Sequence, residues 1–586
     1  MPHHRRRSRL RRALAIAGTA SLLLFAGGRA VGPLYSRFGL AADSWPLQQE
    51  RLFSPPPEML LGPPSELLPS PRPQSSPKAN IPFPRRLLPP PQFEEDRDQS
   101  PPQLEEDHDQ SPSQQEEDAV LLPDREVLVL ASDARGAGNA LCTFQGGALS
   151  PARALGRLPG PGRHAYLCLL PDSEEPLQPR LVLSSSSAAA PATDSSKLLN
   201  WNESLVFDSS ILHGGDVLLF AKGPISRKGI IRTAVANVQC IYRDTSDGTE
   251  SSFPAITAAQ QIIRCHPPPT PLSSGKSEFS VTISLNGQEP IPTLATYNPH
   301  QFSLSMTHKR NLICACTMVR NIAKFLPEWV LYHSAVGVEQ FFLYDNGSED
   351  DLAEEVAHLK SSGIEISTVA WPWTKTQEAG LSHCAAMHQR SCQWMAFIDV
   401  DEFIFSPKWN LSEKPSRSML EALVSVDPHI GQIYLPCHDF GPSGQTTHPP
   451  EGVLQGYTCR LDKALRHKSM VHLDAVDDSL VNVVHHFTLK SGFSYMWKLV
   501  PFVNHYKYQA WTEFKSKFKR RVSTYVADWL DPVNLDSKDR APGLGVDPVE
   551  PAGWADRFCE VRDNTMQEVS RRWFGTGFRG RGPNWS

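Results

Sequence analysis

Trp394-Met-Ala-Phe-Ile-Asp399-Val-Asp401-Glu-Phe403 is the stretch on which the fold turns. A short apolar run, Trp394–Ile398, stops at two acids one residue apart. Upstream, Gln340-Phe-Phe-Leu-Tyr344 stops in the same way, at Asp345-Asn-Gly-Ser348. Runs of this length rich in aromatic and branched residues read as buried strands. Between and around them lie helical stretches. Leu312–Val319 predicts a strand, and Pro327 then opens a helix at its favoured first turn. Ser348-x-x-Asp351 predicts a capping box and a helix to Leu359. Ile364–Val369 predicts a strand and Glu378–Arg390 a helix. Strand–helix alternation implies an α/β domain with a mainly parallel sheet, whose ligands bind at the carboxyl ends of the strands.

Working toward the N-terminus, the signal changes. Val127–Leu130, Tyr166–Leu170, Val217–Ala221, Val235–Tyr242 and Phe279–Ser284 are short apolar runs between Gly, Pro and Ser clusters. They predict a small β-sandwich-like domain over residues 124–300, ahead of an α/β domain over 301–586. Nineteen of the 52 prolines fall between Pro46 and Pro123, so residues 35–123 read as an unfolded stem. Inside it, Pro90–Ser100 is repeated as Pro101–Ser111, each copy carrying Glu-Glu-Asp-x-Asp, which makes the stem a self-repelling, extended spacer.

Six arginines within residues 1–12 precede an apolar run from Ala13 that extends, past Arg29, to Leu34. Residues 13–34 therefore read as a signal-anchor with a basic cytosolic end and a luminal remainder. A cleaved signal peptide at Gly28-Arg29-Ala30 and an organelle transit peptide are the competing readings. All eleven cysteines lie at or beyond Cys142, on the luminal side, where disulfides form. Cys142/Cys168 and Cys240/Cys265 are spaced as partners on neighbouring strands, and Cys314-Ala-Cys316 reads as buried strand thiols. The odd total leaves one cysteine over. Asn202 and Asn410 stand in glycosylation sequons.

The net charge of −5 dissolves into the arginine-rich end, the acidic stem and a near-neutral remainder. No large basic face exists for nucleic acid. Lys515–Arg521 reads as a solvated helix face. Gly275-Lys-Ser277 has Thr270 where a phosphate loop needs glycine, and neither His-Glu-x-x-His nor Gly-x-Ser-x-Gly occurs.

Asp-x-Asp is a weak signal alone, since it recurs in the stem at Asp96/Asp98 and Asp107/Asp109. At the end of an apolar strand it gains meaning. Strand alternation predicts Asp399 and Asp401 on one side, with Val400 turned away. Two hard carboxylates there suit Mg²⁺ or Mn²⁺, with positions left for diphosphate oxygens.

Cys316-Thr-Met-Val-Arg320-Asn321, Leu326-Pro-Glu328-Trp329-Val-Leu-Tyr-His333, Phe342-Leu-Tyr-Asp345-Asn346-Gly-Ser348 and Asp399-Val-Asp401-Glu-Phe403 together resemble glycosyltransferase family 92. His505-Tyr-Lys-Tyr-Gln-Ala-Trp511 and Lys515-Ser-Lys-Phe-Lys-Arg-Arg521 resemble its plant branch. The resemblance spans residues 311–560. It implies a GT-A, Rossmann-like catalytic domain, a divalent metal, a UDP-sugar donor (often galactose), a glycan acceptor, inversion at the anomeric carbon, and a single-pass type II Golgi membrane protein.

Carried onto this sequence, the resemblance implies donor contacts at Arg320, Asn321, Asp345, Asn346, Gln377 and Lys468, and metal ligands Asp399, Asp401 and one histidine of His485-His486, with His485 preferred. Ser382-His383 stand where the family often has Asn-Asp, which weakens a donor role there. Asp439, then Glu451, are the candidates for the general base that inversion needs. Two other classes remain open from sequence: a membrane-anchored carbohydrate-binding protein with a degenerate transferase domain, and a nucleotidyl- or phosphotransferase on a similar fold.

Overall fold

The computed structural model describes residues 118–576, apart from 132–139, 145–146, 160–161, 172–178, 184–197, 213, 225–234, 269–277, 300–309, 484 and 518–549. The predicted basic end, the anchor and nearly all of the stem lie outside these residues. Among the described residues, no helix is long and apolar enough to cross a membrane.

The described residues begin inside the stretch predicted as stem. Asp118–Leu121 pairs antiparallel with Glu126–Ala131 in a five-stranded sheet. That sheet shares a core of Val127, Val129, Cys142, Phe144 and Tyr166 with the three-stranded sheet centred on Ala140–Phe144. A second pair of sheets follows, centred on Val217–Lys222 and Val238–Asp244, around Val206, Leu219, Cys240, Tyr242 and Val281. The single sandwich expected is thus two consecutive β modules. The predicted disulfides Cys142–Cys168 and Cys240–Cys265 form, one in each module.

The α/β domain is mixed and carries a nine-stranded sheet. Its strands are β1 (Asn311–Val319), β2 (Gln340–Asp345), β3 (Ile366–Ala370), β4 (Cys392–Phe397), β5 (Glu402–Phe405), β6 (Ile430–Asp439), β7 (Arg466–His472), β8 (Ser494–Trp497) and β9 (Phe502–His505). The order is β3-β2-β1-β4-β7-β6-β9-β5, with β8 paired to β6. The first four strands are parallel, as predicted. From β7 onward the sheet turns mixed, with β7 antiparallel to both β4 and β6.

Helices α1 (Leu326–Val336), α2 (Leu352–Ser361) and α3 (Gln377–Met387) fill the predicted places. Gly337 ends α1 at φ 131°, where a Cβ would stand 2.6 Å from the Arg417 carbonyl oxygen, so only glycine fits. The capping box before α2 does not form. The Ser348 hydroxyl and amide both donate to Asp345 Oδ1, at 2.7 and 2.9 Å.

Cys314 and Cys316, expected as thiols, are both oxidised. Two residues apart on β1, they share one face; Cys314 joins Cys392 on β4 and Cys316 joins Cys384 on α3. Cys459–Cys559 is the fifth disulfide, and Cys437, buried on β6, is the leftover thiol.

The two-residue period of Leu205–Ile211 and Val217–Lys222 explains how the β modules hold the α/β domain. Val206, Val217, Leu219 and Ala221 face their own module's core, whereas Phe207, Leu218 and Phe220 face the α/β domain. There Trp201 stacks on Trp373 at 5.7 Å, and Phe220 meets the Trp371 edge at 5.6 Å. Both faces of that sheet are therefore buried.

On the other side of the large sheet, Glu328 of α1 is only 6% exposed. Its two carboxyl oxygens accept the amides of Val453 and Leu454 at 2.7 and 2.8 Å. Burial pushes its pKa up, from 4.5 to about 7, against the pull of those two bonds. Because the folded pKa is the higher one, this group's contribution to stability is full below pH 4.5 and is lost as the pH rises to 7. The expected outcome is a stability that falls across this window by up to about 1.4 kcal/mol per pH unit from Glu328. In Glu328→Gln that slope disappears, at a cost of about 1–3 kcal/mol from the amide left facing a donor. Denaturant midpoints measured against pH for both proteins check this.

Candidate active site

Two clusters form at the carboxyl ends of the parallel strands. The first joins the ends of β1 and β2. Asn321, at φ 50°, receives the Glu349 amide on its side-chain oxygen at 2.6 Å, and its own amide donates to Ser348 Oγ at 3.0 Å. Asn346 is buried and donates through Nδ2 to the Trp371 carbonyl at 2.7 Å. Arg320 pairs with Glu349 at 3.7 Å. Four of the predicted donor residues, Arg320, Asn321, Asp345 and Asn346, thus meet in one loop cluster. Burial raises the Asp345 pKa, against the bonds from Ser348.

A residue of the first β module reaches this cluster. Arg153 donates to the Ser348 carbonyl at 3.0 Å and pairs with Glu349 at 3.5 Å. Sequence reading missed it, since nothing local marks a lone arginine on a distant strand.

The second cluster follows β4. Asp399 and Asp401 sit at a turn beyond the strand end, not on the strand, and each meets its own lysine. Asp399 Oδ2 lies 2.7 Å from Lys468 Nζ, which also lies 3.1 Å from Glu402 Oε1 and 2.6 Å from His485 Nε2. Asp401 is held by Lys517 and lies 3.5 Å from His505 Nε2. Lys517 belongs to the segment predicted as a solvated helix face, and it turns inward.

Register explains the rest. His505 on β9 stands opposite both Glu402 on β5 and Asp439 on β6. His505 Nδ1 lies 2.9 Å from Asp439 Oδ1, and Lys507 Nζ donates to Asp439 Oδ2 at 3.3 Å. Four carboxylates, Asp399, Asp401, Glu402 and Asp439, therefore face Lys468, Lys507, Lys517 and His505.

Burial pushes the carboxyls of Asp399 and Asp401 up, but their cationic neighbours outweigh it and hold both well below the usual range. Asp399 keeps 39% of its side chain exposed, so the cost of burial falls mainly on Asp401 at 13% and Glu402 at 0%. Glu402 is raised by burial and by the two aspartates. His505 is raised, because Asp401, Asp439 and Glu402 overcome burial and favour its charged form.

Two further expectations need correcting. Asp439 cannot take a proton from an acceptor: its side chain has no exposure and both oxygens are engaged. It positions His505 instead. Among the described residues, no group of three His, Cys, Asp or Glu side chains is arranged to hold a metal. The donor types of Asp399, Asp401 and His485 suit Mn²⁺. As they stand they do not fit it, because the Lys468 ammonium occupies the space between Asp399 and His485.

Glu451 is half-buried, just before the turn whose amides Glu328 binds, and no hydrogen bond or ion pair of the acidic cluster reaches it. Gln377 opens α3, half-buried.

Ser382-His383 have a structural role. His383 lies 2.6 Å from the Tyr344 hydroxyl through Nδ1 and 2.9 Å from Ser210 Oγ of the second β module through Nε2. Ser382 donates to the Leu480 carbonyl at 2.8 Å and accepts from Asn482 at 2.7 Å. Burial lowers the His383 pKa to about 3, so it stays neutral.

Asp439→Asn is expected to leave Lys507 and His505 without their shared anion. The cost is about 3–5 kcal/mol of stability, the range for breaking a buried ion pair from one side. Chemical denaturation measures it. The same change lowers the His505 pKa, which NMR titration of the imidazole reads directly.

The glycosyltransferase family 92 model matches residues 309–533, the span that holds both clusters. A family 92 protein of rice (Oryza sativa subsp. japonica) is 41% identical over 397 residues, covering 64% of this chain and 67% of its own. One of Ricinus communis is 36% identical over 480 residues, covering 77% and 81%. A galactan beta-1,4-galactosyltransferase of Arabidopsis thaliana is 26% identical over 149 residues, covering 23% and 28%. The chain belongs to glycosyltransferase family 92 and is a glycosyltransferase.

Proposed function

We propose that the protein is a membrane-anchored, lumen-facing transferase with a GT-A type catalytic domain, moving a sugar from a UDP-sugar to a glycan acceptor with inversion. The observation that carries this reading is the pairing of two clusters at one edge of the parallel sheet. One is the polar loop of Arg320, Asn321, Asp345 and Asn346; the other is the acid–lysine group around Lys468. The first suits a nucleoside and the second its diphosphate.

When the glycosidic bond to the nucleotide breaks, negative charge grows on the departing diphosphate. A preorganised ammonium in a water-poor site stabilises that charge more in the transition state than before it. Lys468, with its side chain 9% exposed, is the group placed for this. Lys517, paired with Asp401, supplies further positive potential.

The arginine-rich start and apolar run support the anchor, and five disulfides among the described residues suit an oxidising lumen such as the Golgi. The name of the Arabidopsis relative makes UDP-galactose the first donor to try.

The test is a screen of UDP-sugars with the full chain in detergent, following UDP release and transfer to glycan acceptors. Asp399→Ala combined with Asp401→Ala is expected to lower turnover at least about 100-fold, the scale of losing one electrostatic element of a transfer site. Unchanged turnover in that variant sinks the assignment.

A further inference from the structure

A patch of rings lies at the carboxyl edge of the sheet, beside the acid–lysine cluster. Tyr434 of β6 is its floor, and Tyr495 and Trp497 of β8, His467 of β7 and His486 surround it. The Tyr434 ring centre lies 4.8 Å from His486, 5.0 Å from Tyr495, 5.1 Å from Trp497 and 5.3 Å from His467. Register explains the grouping. Tyr434 stands opposite Trp497, and His467 stands opposite Pro436, two residues along the same face of β6. Because β7 is antiparallel to both β4 and β6, the ends of β6 and β8 and the start of β7 reach the edge where β4 ends.

The patch is open to water. Tyr495 is 46% exposed, Leu499 and Val500 after it are also exposed, and Trp497, His467 and His486 are half-buried. Exposed apolar surface gathered in one place marks a binding surface. Trp497 Nε1 is shielded from water and has no hydrogen-bond partner among the described residues. An indole N–H in that position normally has an acceptor, so this donor is left for an oxygen from outside the chain. None of the five side chains is a carboxylate, an ammonium or a guanidinium. An uncharged sugar matches these features together: its C–H face stacks on the electron-rich face of an aromatic ring, and its hydroxyl rim accepts an N–H.

Position ties the patch to the reaction centre. His467 and His486 are the chain neighbours of Lys468 and His485, whose Nζ and Nε2 lie 2.6 Å apart. The patch thus begins one residue, about 3.8 Å between Cα atoms, from the acid–lysine cluster. His467 and Lys468 point to opposite sides of β7, so a ligand that touches both bends around the start of that strand.

We infer that Tyr495 and Trp497 form a stacking platform for the acceptor, an uncharged oligosaccharide whose terminal hydroxyl enters the acid–lysine cluster while sugars further along its chain lie on the rings. This rests on the reaction centre proposed above and adds to it a preference for acceptors longer than one sugar. Binding energy from sugars remote from the new bond holds the attacking hydroxyl in place.

The experiment titrates the full chain in detergent, by calorimetry, with tetraoses of galactose, glucose and mannose, and with tetragalacturonate as the charged comparison. At least one neutral tetraose is expected to bind, at least about tenfold more tightly than its monosaccharide. Trp497→Ala is expected to weaken that binding at least about tenfold, the loss of one aromatic anchor, and Tyr495→Ser at least about threefold. Trp497→Phe keeps a ring without the N–H and is expected to fall between Trp497→Ala and the wild type. Tyr495→Ser keeps the test open if the Trp497 variants fail to fold, which melting curves reveal, because an exposed side chain adds little to stability. In transfer assays the kcat/KM advantage of the tetraose over the monosaccharide is expected to shrink by the same factors, which a general loss of structure would not produce.

Equal tetraose affinity in wild type, Trp497→Ala and Tyr495→Ser overturns the inference. So does the absence of binding by any neutral tetraose, or tighter binding of tetragalacturonate than of all of them. A wild-type dimer in sedimentation that Tyr495→Ser dissolves, with tetraose binding unchanged, gives the patch to a second copy of the chain instead. Tetraose binding that depends on Trp497, without binding of any UDP-sugar, keeps the platform and removes the donor site proposed above.

Discussion

A carboxylate taken out of water costs several kcal/mol unless cations and hydrogen bonds replace the water, and four such groups converge beyond β4. Much of the second half of the sheet serves that requirement. β5 brings Glu402 and β6 brings Asp439, both in register with His505 on β9, and β7 brings Lys468. Remove one strand and at least one buried charge loses its partner. The parallel half of the sheet carries no comparable burden. Its cluster at Asn321, Asp345 and Ser348 is held by hydrogen bonds among backbone amides, Ser348, Asn321 and one carboxyl, Asp345.

This difference decides what was legible in the sequence. β1 to β4 and the helices between them were readable because their apolar runs are continuous and Pro327 and Gly337 punctuate them. The loop cluster of Arg320, Asn321, Asp345 and Asn346 was readable for the same reason: its residues sit at strand ends or within two positions of them. The acid–lysine cluster was only half readable. Asp399 and Asp401 announce themselves, but their partners come from more than sixty residues away, as with Lys468 and Asp399, or more than a hundred, as with Lys517 and Asp401. No local pattern encodes such a pairing. Asp439 was therefore misread as a base. Taken alone it is a loop carboxylate, and only the β6–β9 register shows that His505 and Lys507 consume it.

Cysteines followed the same logic. Cys142/Cys168 and Cys240/Cys265 close loops of 26 and 25 residues within a module, and their spacing was informative. Cys314 and Cys316 pair over 78 and 68 residues, through the crossover of a parallel sheet, where spacing says nothing. The capping box failed for a different reason. Ser348 had two uses, and the bonds to Asp345 and Asn321 that shape the loop took precedence over capping α2.

The predicted boundary at residue 300 separates patterns in the sequence but not folding units. Cys314, Cys316, Phe342, Tyr344, Trp371 and Trp373 of the α/β domain share one core with Trp201, Phe207, Leu218 and Phe220 of the β modules. Cutting there would expose this face to water, at roughly 1.5–3 kcal/mol for each large side chain uncovered. It would also orphan His383, whose Ser210 partner lies across the cut. The Ser348–Glu349 loop would lose Arg153. Ser382-His383, the pair that departs from the family's usual Asn-Asp, serves here to tie the folded parts together. The β modules, packed on one face of the sheet and with Arg153 on the Ser348–Glu349 loop, are part of the same folded unit as the α/β domain.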